Sequence, residues 1–175
     1  ELYSRRPEAF MNLAVAMQST GDIDGSIQAW YDAVGVMENP EFTPEDPEDV
    51  AQWNSYLPMS RGNLGSLLSS IPERAEEAID ILQAVVEEDP SNSNAQGTLA
   101  MLLARSGEGA DAMAIFDIIL ADEEGSWQDY YNAGITLYQA EDWNRSALAF
   151  QKLLVRAPKY RDAMDYRVWS LFQSE

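Results

Sequence analysis

The 175-residue sequence contains no cysteine and no histidine. Without cysteine there is no disulfide framework and no thiolate site. Without histidine, Ser-His-Asp catalysis, imidazole acid–base chemistry and His-ligated metals are excluded. No glycine-rich loop runs into Lys followed by Ser or Thr, so no P-loop is present, and Ser-x-x-Lys is also missing. The longest apolar run falls far short of a membrane-spanning helix. Bases are scarce: 11 Lys and Arg stand against 30 Asp and Glu, for a net charge of −19. Among so many acids, paired carboxylates carry no catalytic information. The expectation is a non-enzymatic chain with no catalytic residues, metal or cofactor and no membrane span in this segment. Its first residue, Glu1, is not an initiator methionine, and Arg5-Arg6 leads into no apolar stretch. That start is what a fragment would show once its targeting segment had been removed.

The charge is unevenly spread. Residues 1–142 hold 27 acids and 5 bases, net −22, whereas residues 143–175 hold 3 acids and 6 bases, net +3. An acidic body repels phosphates, which argues against nucleic acid as a partner. Two readings of it stay open: solvated outer faces, or a field that steers a basic partner.

What is present is a repeated pattern. From Trp127 to Pro158, apolar or small residues recur at helical spacing, first Tyr130, Ala133, Gly134 and Leu137, then Ala147, Phe150, Leu153 and Leu154. Ser126 with Asp129 three residues on marks a helix start, and Glu141 to Asn144 reads as a tight turn. This helix–turn–helix unit is about 34 residues long, and sliding back by that period finds it again. Leu99-Ala100 falls on Ala133-Gly134 and Phe116 on Phe150, while Asn63-Leu64-Gly65 matches Asn132-Ala133-Gly134 with one extra residue near Pro72. The first copy shows Asn12-Leu13-Ala14, Gly21-Asp22, Ser26, Trp30 and Ala33, then Pro40. Four copies result, at about 7–40, 58–90, 93–126 and 127–158. Gly65, Ala100 and Gly134 are expected to let paired helices approach, with Trp30, Leu82, Phe116 and Phe150 filling the space between hairpins.

An aromatic residue, a Leu-Gly pair, Gly-Asp at the turn, then Ala, aromatic, Ala and Pro at a 34-residue spacing resembles the tetratricopeptide repeat (TPR) family. The departures are Gly62 and Gln96 where the family favours Trp, and Ser26 and Ser146 where it favours Ala. The resemblance implies an all-α, right-handed superhelical solenoid of hairpins forming one array over residues 1–175. Residues 41–57 stand outside the repeat and read as a polar loop plus a short helix carrying Val50, Trp53 and Leu57, ended or kinked at Pro58. Residues 160–173 read as an extra C-terminal helix that packs through Tyr160, Met164, Val168 and Leu171.

In the TPR family the first helices of successive repeats line a concave groove that takes extended peptides or a partner helix. Carried over position by position, the resemblance implies a groove presenting Met11, Asn12, Val15, Asn63, Ser66, Met101, Arg105, Tyr131, Asn132, Ile135 and Tyr138. The cationic residues with which some members clamp a peptide carboxylate are replaced, as at Met11 and Gln128. Asn12, Asn63 and Asn132 recur at one place in three copies, and an amide can bind a peptide backbone without reading its side chains. Tyr166, Trp169 and Phe172 lie off the expected packing face of the last helix, which points to contact with further protein. Two functions follow: a module that holds a protein or peptide partner in its groove, or a scaffold that self-associates through its solenoid ends into a homo-oligomer.

Overall fold

The computed structural model describes residues 6–174; apart from Arg6, the lead-in of residues 1–6 lies outside them. Among the described residues there are nine α-helices and no strand. They are α1 (Pro7–Thr20), α2 (Ile23–Glu38), α3 (Pro47–Leu68), α4 (Ala75–Glu88), α5 (Ser93–Ser106), α6 (Gly109–Ala121), α7 (Trp127–Gln139), α8 (Trp143–Arg156) and α9 (Arg161–Gln173). The chain divides into two compact units, Glu1–Pro90 and Ser91–Glu175. The first packs α1 on α2, α2 on α3 and α3 on α4; the second packs α5 on α6, α7 on α8 and α8 on α9.

Three of the hairpin turns are built alike. α1 and α5 end on glycines in the left-handed region, Gly21 (φ 83°) and Gly107 (φ 91°), where glycine avoids the Cβ clash. The next amide in each, Asp22 or Glu108, bonds the carbonyl five residues back at 2.9 Å, and Asp142 does the same to Leu137. In that third turn the left-handed position is held by Glu141 (φ 60°). Side-chain caps start two of the helices that follow: Asp22 accepts from the Gly25 amide, and Asp142 from that of Arg145. Residues 21–25 thus form a capped turn. Ser126 and Asp129 form a reciprocal capping box at the start of α7.

Within hairpins the helices meet at small residues. A Cβ on Gly65 would stand 2.7 Å from Leu82 Cγ, and one on Gly134 would stand 2.8 Å from Phe150 Cζ. Leu64, Leu68, Leu82, Phe116, Tyr130, Leu137, Phe150 and Leu153 are fully buried around these contacts, each such aliphatic or phenyl side chain contributing about 1.5–3 kcal/mol. The serines at the two alanine-like positions also bond across their hairpins. Ser26 Oγ donates to the Ala14 carbonyl (2.8 Å), and Ser146 Oγ to that of Gly134 (3.0 Å). Each hydroxyl stitches the second helix of its hairpin to the first.

Two expectations need correction. The short helix of 41–57 and the first helix of the second copy are one 22-residue helix, α3, which passes through Pro58. Proline removes one hydrogen bond and crowds the preceding turn, but it does not end this helix. Asp46 caps the N-terminus, accepting from the Glu48 amide at 2.8 Å, and Pro47 occupies the first turn, where proline is tolerated. Trp53 on this helix is half-buried. The second correction concerns α9. Its buried residues are Ala163 and Ser170, with Tyr166 and Arg167 half-buried, whereas Met164, Val168 and Leu171 are exposed. Small residues win this face because Ser170 Oγ lies 3.0 Å from Ser146 Oγ, a separation that bulky side chains would forbid.

Candidate functional site

On the N-terminal unit, Asn12 and Val15 are exposed on α1, and Asn63 is exposed on α3. Ser66 is half-buried, and its hydroxyl has no partner among the described residues. Met11, expected on the binding face, is buried at 9% exposure as part of the hairpin core. It lies three residues before Ala14 and so shares that residue's inward face.

On the C-terminal unit, Met101 is half-buried on α5, and Arg105 is exposed in its last turn with no ion pair among the described residues. Asn132 is exposed on α7, with Tyr131, Ile135 and Tyr138 half-buried beside it. Among the described residues, the side-chain amides of Asn12, Asn63 and Asn132 make no hydrogen bond within the chain. Thr98, which takes the equivalent place in α5, spends its hydroxyl on the Asn94 carbonyl.

The residues of α7 meet α9 in a cleft of about 390 Å³ lined by Tyr131, Tyr138, Asp162, Asp165, Tyr166 and Trp169. Helical spacing puts them there. Positions 131 and 138 are two turns apart on one face of α7, with Ile135 between them. Positions 162, 165, 166 and 169 share one face of α9. The rings hold one another in place. Tyr138 meets Tyr166 edge-on (5.2 Å) and Trp143 edge-on (5.1 Å), Tyr166 stacks on Phe150 (5.3 Å, 13°), and Tyr131 meets Tyr160 (5.5 Å). Burial pushes the Tyr131 hydroxyl above its usual pKa; the neighbouring Tyr160 and Tyr166 add to this, and the Asp162 carboxylate further raises it.

Tyr131 and Tyr138, expected in a groove, and Tyr166 and Trp169, expected at an end contact, therefore belong to one cleft. Phe172 is not part of it; it meets Trp169 edge-on at 6.2 Å and is 69% exposed. Tyr166 also serves the packing, since it stacks on the buried Phe150. Asp162 and Asp165 escaped the sequence reading because they were two carboxylates among thirty. The available signal was their spacing: with Tyr166 and Trp169 they make an i, i+3, i+4, i+7 set.

An all-helical chain of hairpins whose first helices carry exposed amides and rings belongs to the class of helical repeat proteins. Residues 72–133 match the tetratricopeptide repeat family model. Three solved structures share the fold. The MamA protein superposes with a TM-score of 0.66 at 18% identity, over 96% of this chain and 82% of that one. YrrB, a TPR protein with an unusual peptide-binding site, gives 0.52 at 19% identity, over 92% and 91%. TTC0263, a thermophilic TPR protein of Thermus thermophilus, gives 0.55 at 16% identity, over 95% and 99%. No curated protein matches the chain significantly. Residues 72–133 thus carry the tetratricopeptide repeat pattern, and the chain has the helical-hairpin fold of these solved structures. No described helix is long and apolar enough to cross a membrane.

Proposed function

We propose that the chain is a non-enzymatic binding module that holds an extended segment or helix of a partner protein. The observation that carries this is the α7–α9 cleft, where four aromatic side chains line a concavity beside the unengaged amide of Asn132. Tyrosine and tryptophan offer large contact area at small entropic cost, and an amide satisfies both polar groups of a peptide bond. Met101, Arg105 and Ile135 extend the same chemistry along the C-terminal unit. Asn12, Val15, Asn63 and Ser66 offer comparable contacts on the N-terminal one. The peptide-binding site of YrrB is a precedent within this fold.

The test uses partner segments selected from a peptide library on the intact chain and measured by calorimetry. Asn63→Ala combined with Asn132→Ala is expected to weaken binding by about 1–3 kcal/mol, with little change in Tm because both amides are exposed. A lower Tm with unchanged binding would show the asparagines to be structural.

A second reading, self-association, is favoured by the outer face of α9. Val168 (64% exposed), Met164, Leu171 and Phe172 form an apolar surface within the basic segment of a chain whose other residues are acidic. A second copy would supply acidic surface to that segment. Sedimentation over a dilution series distinguishes the readings: a monomer throughout excludes the scaffold, and a concentration-dependent oligomer that Val168→Asp abolishes supports it.

A further inference from the structure

We propose that the α7–α9 cleft receives a lysine or arginine side chain, so that the segment bound by this chain is a basic one. The proposal rests on the binding-module reading above and names its ligand class. Aromatic rings attract cations through their quadrupoles, and the side chains of Tyr131, Tyr138, Tyr166 and Trp169 line this cavity together with two carboxylates. The molecule already places cations on tyrosine rings, with Lys152 Nζ 5.7 Å from the centroid of Tyr130 and the Arg74 guanidinium 5.4 Å from that of Tyr31.

Charge supplies the second, independent strand. Residues 143–175 are net basic and contain three acids, Asp162, Asp165 and Glu175. Two of those three line the cleft. Both carboxylates are exposed and have no ion-pair partner among the described residues. Arg161 and Arg167 belong to the same helix but do not line the cavity. The local charge therefore changes sign at the aromatic cleft and nowhere else along α9. An acidic side chain would be repelled there, and an apolar one would gain nothing from the two carboxylates. A cationic side chain uses the rings and the carboxylates together. The −22 of residues 1–142 acts at longer range, raising the encounter rate of a basic partner.

The experiment uses the intact chain labelled with 15N, following the Trp169 indole N–H (assigned with Trp169→Phe) during titration with blocked Gly-Lys-Gly and Gly-Arg-Gly peptides. Blocked Gly-norleucine-Gly and Gly-Gln-Gly are the uncharged controls. Lysine and arginine probes are expected to shift the Trp169 signal and to bind about fivefold or more tightly than the controls. Asp162→Asn with Asp165→Asn should reduce that binding about tenfold. Read from the backbone amides of α7 and α9, Trp169→Phe should retain part of it and Trp169→Leu lose it, all with unchanged circular-dichroism melts, since these side chains are exposed. Equal affinity for norleucine, an unmoved Trp169 signal, or indifference to the paired Asp substitutions would each overturn the proposal. If library-selected segments bind without enrichment in basic residues, the module reading stands and this inference falls. If lysine probes shift Trp169 but no partner segment binds, the reverse holds.

Discussion

The two units solve the same hairpin problem and then diverge in what holds their helices together. Both use a glycine at the closest helix–helix approach, a large residue opposite it, and a serine bonded to the first helix's carbonyl. The N-terminal unit adds ionic clamps. Arg61 on α3 reaches Glu38 at the end of α2 (2.8 Å) and Glu88 at the end of α4 (2.5 Å). Arg74 joins Glu77 (2.6 Å) and the Tyr31 hydroxyl (2.5 Å). The C-terminal unit has a clamp of its own, Arg145 between Asp117 and Asp142, but its distinguishing feature is aromatic. All seven ring–ring contacts among the described residues lie between Trp127 and Phe172. One backbone solution thus carries two chemistries, and the aromatic one leaves a cleft lined by four aromatic side chains and two carboxylates.

The comparison can be broken most severely at the paired glycines. Gly134→Ala pushes a methyl group into Phe150, whose ring is stacked on Tyr166 and edge-on to Tyr131. Gly65→Ala meets Leu82, a buried aliphatic side chain outside any ring network. Overpacking of this kind costs about 1–3 kcal/mol, and the loss in urea unfolding should lie near the top of that range for Gly134 and near the bottom for Gly65. Equal losses would mean that the aromatic network does not stiffen its unit.

Next in size is the ionic side. Burial and the hydrogen bond to Glu77 push the Tyr31 hydroxyl up to about 12. A tyrosine whose folded pKa lies above its unfolded value near 10 favours folding while it is neutral. That contribution is complete below pH about 10 and disappears as pH rises through about 12. Glu77 is held below the usual carboxylate range, first by the Tyr31 hydroxyl and then by Arg74, so its share has the opposite sign: it is present at neutral pH and lost on acidification through the lowered pKa. Tyr31→Phe should cost about 1 kcal/mol at pH 7 and remove the part of the alkaline loss between pH 10 and 12 that is due to this residue. An unaltered alkaline profile would place the sensitivity elsewhere.

The smallest expected effect is a gain. Gly21 and Gly107 occupy the left-handed turn position that Glu141 holds in the α7–α8 hairpin. A non-glycine residue there costs about 1–2 kcal/mol, partly offset by the entropy that glycine loses on folding. Glu141→Gly should therefore raise stability by about 0.5–1 kcal/mol, read as a higher Tm. A decrease would show that the Glu141 side chain makes up for its backbone.

Helical class and turn chemistry were legible because their signals are local. A 3.6-residue apolar period, Ser126 with Asp129, and Gly-Asp at a turn each act through neighbours a few residues away. The family resemblance was legible through their recurrence at a fixed spacing. Pro58 misled for the same reason: locally it signals a break, yet a helix with a strong cap upstream can run through it at the loss of one hydrogen bond. The last helix misled more deeply. Its bulkiest apolar row had the pattern of a buried face, but Ser146 had already set the distance of approach, and only Ala163 and Ser170 fit within it.

Composition and periodicity thus determined that this chain is all-α, built from hairpins, acidic, and without histidine or cysteine chemistry. Tertiary structure decided which face of α9 turns inward and which rings gather. It also decided that Asp162 and Asp165, two carboxylates among thirty, stand with Tyr131 and Tyr138 from another helix. The physical reason is range. Helices are chosen by contacts between residues three and four apart, whereas a binding cleft depends on how closely two helices approach, and here hydroxyls and methyl groups distant in the sequence set that approach.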